Sequence, residues 1–166
     1  MKNPTNTQIA FLAVGVAVGI CLTSIWPHEP VFAATTDRDS RFAMATVDVS
    51  DISGIEGVFC LDFLTGQIRG GVLHTRTGKF QYTYHRNIAA DFNVDASAEP
   101  HFALVSGRAN LPNARSTQLA QGVLYIAELS SGRVIAYTFP YQQGNNTAVN
   151  IQLTPLDTFQ FREASN

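Results

Sequence analysis

The sequence predicts an all-β domain of about eight antiparallel strands, a meander-rich sandwich or barrel, preceded by one N-terminal hydrophobic helix. Three observations lead there. Beyond residue 41 the chain runs in short strand-length stretches rich in β-branched and aromatic residues. A glycine hinge recurs at Leu64-Thr65-Gly66, Arg76-Thr77-Gly78, Val105-Ser106-Gly107 and Ser130-Ser131-Gly132, each followed by Gln, Lys or Arg. Ile9 to Trp26 is an uncharged run of 18 residues, at the lower edge of what spans a bilayer as a helix.

The N-terminal run comes first. Lys2 precedes it and acidic residues follow, which places the C-terminal bulk outside the cytoplasm. Residues 9–26 then hold the chain in the cell membrane in a single pass, with Trp26 at the interface. The competing reading is a signal peptide cleaved at Val31-Phe32-Ala33, which yields a secreted protein. Residues 27–41, with two prolines and the polar TTDRDS, read as a linker. The domain organisation is therefore 1–26 anchor or signal peptide, 27–41 linker and 42–166 extracytoplasmic β domain.

Candidate strands within the domain are Phe42–Val49, Gly57–Phe63, Gln67–His74, Lys79–His85, His101–Leu104, Gly122–Glu128, Arg133–Phe139 and Asp157–Arg162. Ile88–Phe92 and Ser116–Gln121 each read as one helical turn. The four hinges suit three-residue hairpin loops, with Gly66, Gly78, Gly107 and Gly132 taking positive φ. No helix follows any of these glycines, so they are backbone chemistry rather than a phosphate cradle.

Three-residue loops set the registers. Asp62 would face Ile68, Val72 would face Tyr82, and Tyr125 would face Tyr137. Val58, Cys60, Ile68, Val72, Phe80, Tyr82 and Tyr84 then share one surface, while Phe59, Leu61, Phe63 and Leu73 lie on the other; a slip of one residue exchanges the faces. Central strands apolar on both sides suit a sandwich or closed barrel.

Composition narrows function. Eleven Lys and Arg against 13 Asp and Glu give a net charge of −2 without a basic cluster, so no nucleic-acid partner is expected. Hydrophobic residues make up 45%, enough for a core. Cys60 is the only cysteine beyond the N-terminal run and reads as a small hydrophobe. His74, His85 and His101 are ligand or acid/base candidates, but strand-end histidines with backbone partners are the favoured reading. Asp62 sits between apolar neighbours and could reach Arg86 across the sheet. Asp91, Asn93 and Asp95 resemble the start of a calcium loop, yet Ala96 stands where glycine is needed and Phe102 where the closing Glu belongs. Tyr141, after Pro140, is the partner-contact candidate. Asn145-Asn146-Thr147 matches a glycosylation sequon. Hydrolase, zinc, P-loop and dinucleotide motifs are absent, and no cofactor is implied.

Two resemblances add to this. GVLYIAELSSGRVIAYTF resembles the outer hairpin of a quinoprotein-type propeller blade, but the closing tryptophan is missing and the chain is too short for four blades. That fold is rejected, and no cofactor role carries over. FCLDFLTGQIRG, YHRNIAADFNVD and IAELSSGRVIAYTFPY resemble an uncharacterised family of small, N-terminally anchored proteins of planctomycete-type bacteria. This resemblance implies a shared fold and an envelope location only. The expected role is a non-catalytic interaction or scaffold module of the cell envelope, binding a protein partner or itself. A small-ligand binder is the alternative, and a hydrolase or metalloenzyme with scattered residues the third reading.

Overall fold

The computed structural model describes residues 8, 11, 13–17, 36–50, 54–94, 100–109, 111, 118–142 and 149–162. The chain divides into two compact units, Met1–Ala33 and Ala34–Asn166. In the first, residues 8, 11 and 13–17 are helical. Among the described residues no helix is long and apolar enough to cross a membrane, so the hydrophobic helix expected over 9–26 is not among the observed elements. Trp26, Ala33, Asp95 and the sequon at 145–147 lie outside the described residues.

The second unit is all-β apart from one short helix. Its strands are β1 (Thr36–Arg38), β2 (Phe42–Ser50), β3 (Ile55–Asp62), β4 (Gln67–Leu73), β5 (Phe80–Asn87), β6 (Phe102–Arg108), β7 (Gly122–Glu128), β8 (Arg133–Thr138), β9 (Val149–Gln152) and β10 (Thr154–Gln160), with the helix Ile88–Phe92 after β5. A six-stranded sheet runs β1-β2-β3-β4-β5-β9, and a four-stranded sheet runs β10-β8-β7-β6. All pairings are antiparallel except that of β9 with β5.

Two strands fall where none was expected. β1 occupies part of the anticipated linker, and β9 follows the sequon in the sequence. The helical turn expected at Ser116–Gln121 is replaced, over its described part, by a bridge between Leu119 and Pro140.

The hairpin loops hold four residues rather than three, and this corrects the predicted faces. In each, the carbonyl of the residue before the loop accepts the N–H of the glycine four positions on: Asp62 from Gly66 at 2.9 Å, His74 from Gly78 at 2.9 Å, and Glu128 from Gly132 at 3.1 Å. Gly66, Gly78 and Gly132 take φ of 63°, 62° and 66°, where a side chain is disfavoured. Asp62 therefore pairs with Gln67, Leu61 with Ile68, and Leu124 with Tyr137. The one-residue shift turns Phe59 and Leu61 inward and Val58 and Cys60 outward. The β4–β5 register, Val72 with Tyr82 and Gly70 with Tyr84, is as expected, but a register shift between Val72 and Leu73 pairs Phe80 with Leu73 rather than His74 and leaves its ring outside the core.

Gly107 departs from the other three. It lies inside β6 opposite Val123, not in a turn. A Cβ there would meet the Tyr125 ring at 2.7 Å, so this glycine makes room for an aromatic side chain on the neighbouring strand.

The inward faces of both sheets enclose one core. Ala43, Ala45 and Val47 of β2, Phe59 and Leu61 of β3, Ile68 and Val72 of β4, and Tyr82 and Tyr84 of β5 line one side. Phe102, Leu104, Leu124, Ile126, Ile135 and Tyr137 line the other. Phe59, Tyr84 and Phe139 form a ring cluster with centroids 4.9–5.6 Å apart. Each such buried side chain contributes about 1.5–3 kcal/mol of transfer free energy. Gly122 lies so close to Val47 and the Asp48 backbone that no side chain fits there, and an Asp48–Arg108 ion pair at 3.4 Å joins β2 to β6.

Candidate functional site

Most residues with catalytic potential are spent on structure. At each hairpin the residue before the loop uses its side chain to tie down that loop. Asp62 accepts from Leu64 N–H at 2.9 Å and Thr65 Oγ1 at 2.7 Å. Glu128 accepts from Ser130 N–H at 2.9 Å and Ser131 N–H at 2.6 Å. His74 holds the equivalent place in the third turn, its Nδ1 at 3.2 Å from Thr77 Oγ1. The Thr65 hydroxyl and then the Leu64 amide hold the Asp62 carboxyl below the usual carboxylate range. Burial pushes the Glu128 carboxyl up, but the Ser131 and Ser130 donors outweigh it and the net shift is downward. These acids are loop anchors, not proton donors held ready.

Asp91 is equally committed. Its carboxylate takes Arg86 Nε, Arg86 Nη2 at 2.7 Å and the Tyr137 hydroxyl at 2.8 Å. Arg86 also donates to the Leu153 carbonyl at 2.8 Å, and Arg133 donates to the Phe92 carbonyl at 2.6 Å. The expected Asp62–Arg86 bridge is thus replaced by Arg86–Asp91, which the short helix makes possible by folding residue 91 back over 86. Asn93, the second member of the predicted calcium run, is the left-handed C-cap of that helix at φ 53°. Among the described residues no group of three or more His, Cys, Asp or Glu is placed to hold a metal.

Tyr141 is not the exposed ring the sequence suggested. It is 6% accessible and packs against Tyr82 at 5.3 Å between centroids. The tyrosine hydroxyls nearby are satisfied by backbone: Tyr82 by the Gln142 carbonyl at 2.7 Å and Tyr84 by the Pro140 carbonyl at 2.8 Å. The interior is a packed core.

What stays open is the outer face of the four-stranded sheet. Its register aligns Ala103, Ala127, Val134 and Phe159 in one row, and Val105, Tyr125, Ala136 and Asp157 in the next. Val105 is 51% exposed and Phe159 60%, and Leu129, Leu156 and Phe161 are also exposed. Asp157, on the rim strand, is the one formal charge on those two rows. β10 is an edge strand whose seven residues are all exposed. Strand alternation alone could have found this face, had the four-residue loop been recognised.

These features define an all-β domain of two sheets with a filled interior, self-capped turns and one largely apolar outer face with Asp157 at its rim. Among known proteins no family model, no curated protein and no solved structure matches the chain.

Proposed function

We propose that the protein is a non-catalytic, extracytoplasmic interaction module of the cell envelope, tethered by residues 9–26, that associates with a second copy of itself through the outer face of the four-stranded sheet. The observation that carries this reading is the largely apolar double row from Ala103 to Phe159, with Asp157 at its rim as the one formal charge. An apolar patch of a few hundred Å² matches the largest patch on an ordinary soluble monomer, and such patches are often functional. The mix of small residues (Ala103, Ala127, Ala136) and bulky ones (Val105, Tyr125, Val134) offers knobs and hollows that can interlock across a two-fold axis. With Asp157 as its one formal charge, the face offers little to an oppositely charged partner, which favours a copy of the same surface.

Four strands spaced about 4.8 Å apart and two to three rows deep give a footprint of roughly 300 Å². The exposed rim residues enlarge it, but it remains smaller than the ~800 Å² per partner of a standard interface. The association is therefore weak in solution. Tethering to one membrane raises the effective concentration and makes a weak contact sufficient.

Sedimentation equilibrium of the full chain in detergent tests this. A monomer–dimer equilibrium in about the micromolar range is expected, with Val105→Asp and Phe159→Asp monomeric and folded. A wild-type chain that stays monomeric at the highest soluble concentration, or a dimer indifferent to both substitutions, contradicts it.

A further inference from the structure

The six-stranded sheet carries a separate feature that self-association does not use. A groove of about 590 Å³ crosses its outer face over β3, β4, β5 and β9. That volume is in the range of small-molecule sites. Its lining includes the β4 backbone at Gly70, where an added side chain would point inward into the Phe59 ring, and at Gly71, which the Phe80 ring covers. The Phe80 ring lies over Gly71, where an added Cβ would meet it at 2.6 Å, and stands as one apolar wall while remaining 55% exposed.

The polar groups of the groove are unequal. Arg69 is directly opposite Cys60 on one side and His85 on the other. Arg69 is exposed, and among the described residues no carboxylate pairs with it. Its diagonal neighbour Asp62 spends both oxygens on its own turn. The groove lining contains no acid. His85 directs Nδ1 to Asn150 Oδ1 at 3.0 Å, an acceptor that selects the Nδ1–H tautomer and leaves Nε2 unengaged. Thr83 Oγ1 is fastened to the Val149 carbonyl and Asn150 Oδ1, so Asn150 is held from two sides.

We propose that this groove binds a small carboxylate carried on a ring. An unpaired guanidinium in an acid-free cleft selects an anion. The planar fork matches a carboxylate through two parallel hydrogen bonds. Phosphate fits less well, because the sheet's backbone N–H groups are taken by the β ladder and no helix N-terminus adjoins. The exposed Phe80 ring and the Gly70 backbone beside it accept the flat body of the ligand. Cys60 also lines the cleft, its ionisation pushed up by partial burial. His85 lies two strand spacings from Cys60, with Arg69 between them, which is about 10 Å and too far for a thiol–imidazole pair.

The test is saturation-transfer NMR and calorimetry on the full chain with sodium benzoate and sodium glucuronate, each against its neutral counterpart, benzyl alcohol or glucose. At least one carboxylate should bind about tenfold or more tightly than its neutral twin. Which of the two binds tells an aromatic acid from a sugar acid. Arg69→Gln should weaken binding at least about tenfold while leaving the urea midpoint unchanged, and Phe80→Ala should weaken it with Arg69 intact. Binding of neither acid, equal binding of the neutral twin, or full affinity in Arg69→Gln overturns the proposal. None of these outcomes depends on the oligomeric state.

Discussion

Asp91 is the residue whose removal should hurt this fold most for its size. Its carboxylate joins β5, the short helix and β8 through Arg86 and Tyr137, and Arg86 carries the link on to Leu153. Asp91→Ala leaves the Arg86 guanidinium, only 17% exposed, with the Leu153 carbonyl as its remaining partner, and strips the Tyr137 hydroxyl of its acceptor. Breaking a fully buried pair costs about 3–5 kcal/mol, and partial exposure of this one brings the expectation to ~3 kcal/mol. With a urea slope of about 2 kcal/mol/M, the midpoint should fall by ~1.5 M at constant slope, read by far-UV circular dichroism. Asp91→Asn keeps an acceptor and should cost roughly half as much. The double variant Asp91→Ala/Arg86→Ala should be less destabilised than the sum of the single ones by about 1–3 kcal/mol, because the stranded charge is gone. A loss below about 0.5 kcal/mol for Asp91→Ala, the level of an ordinary surface change, would refute the network.

Two further outcomes follow from the turns. Gly66→Ala should cost more than Gly78→Ala, since both demand positive φ but only a Cβ at 66 meets Ala89, at 2.6 Å; urea midpoints check the order, with about 1 kcal/mol expected at 78 and more than 2 at 66. Glu128 has a folded ionisation held below its unfolded value, so its contribution is present above the unfolded value near 4.5 and is lost as pH falls through the lower folded value. Stability measured from pH 6 to pH 3 should decline across that window, and Glu128→Gln should flatten the decline.

The strands were legible because β-branched and aromatic runs between glycine hinges leave little choice of element. Six of the eight expected strands overlap observed ones closely; His101–Leu104 covers only the start of β6, whose Val105-Ser106-Gly107 was expected as a turn, and Asp157–Arg162 overlaps β10 with a shifted start. Register was legible between β4 and β5 but not at the other two hairpins. A three-residue and a four-residue loop both end on a left-handed glycine, and Phe63 and Leu129 are apolar enough to pass for strand ends. One residue of loop then decided which face was core.

The edge strands escaped for a different reason. β1 is the polar triplet TDR and β9 is VNIQ, neither with a periodicity long enough to register. Tyr141 was misplaced because Pro140 looked like a strand end, whereas the Tyr141 N–H bonds the Gln118 carbonyl at 3.0 Å and draws the ring inward. The Arg86–Asp91 pair needed the helical turn between them, which sequence proposed without fixing where its side chains would land.

The register of β3 underlies both outer faces and the core. Cys60 reports it directly, since it is exposed on the outward row while Phe59 and Leu61 are fully buried. Maleimide labelling of the native full chain carrying Cys21→Ser measures it. The Cys60 thiol should label without denaturant, faster as pH rises, at a rate within about tenfold of the unfolded chain. Protection until the chain is unfolded would put Cys60 in the core and contradict the account.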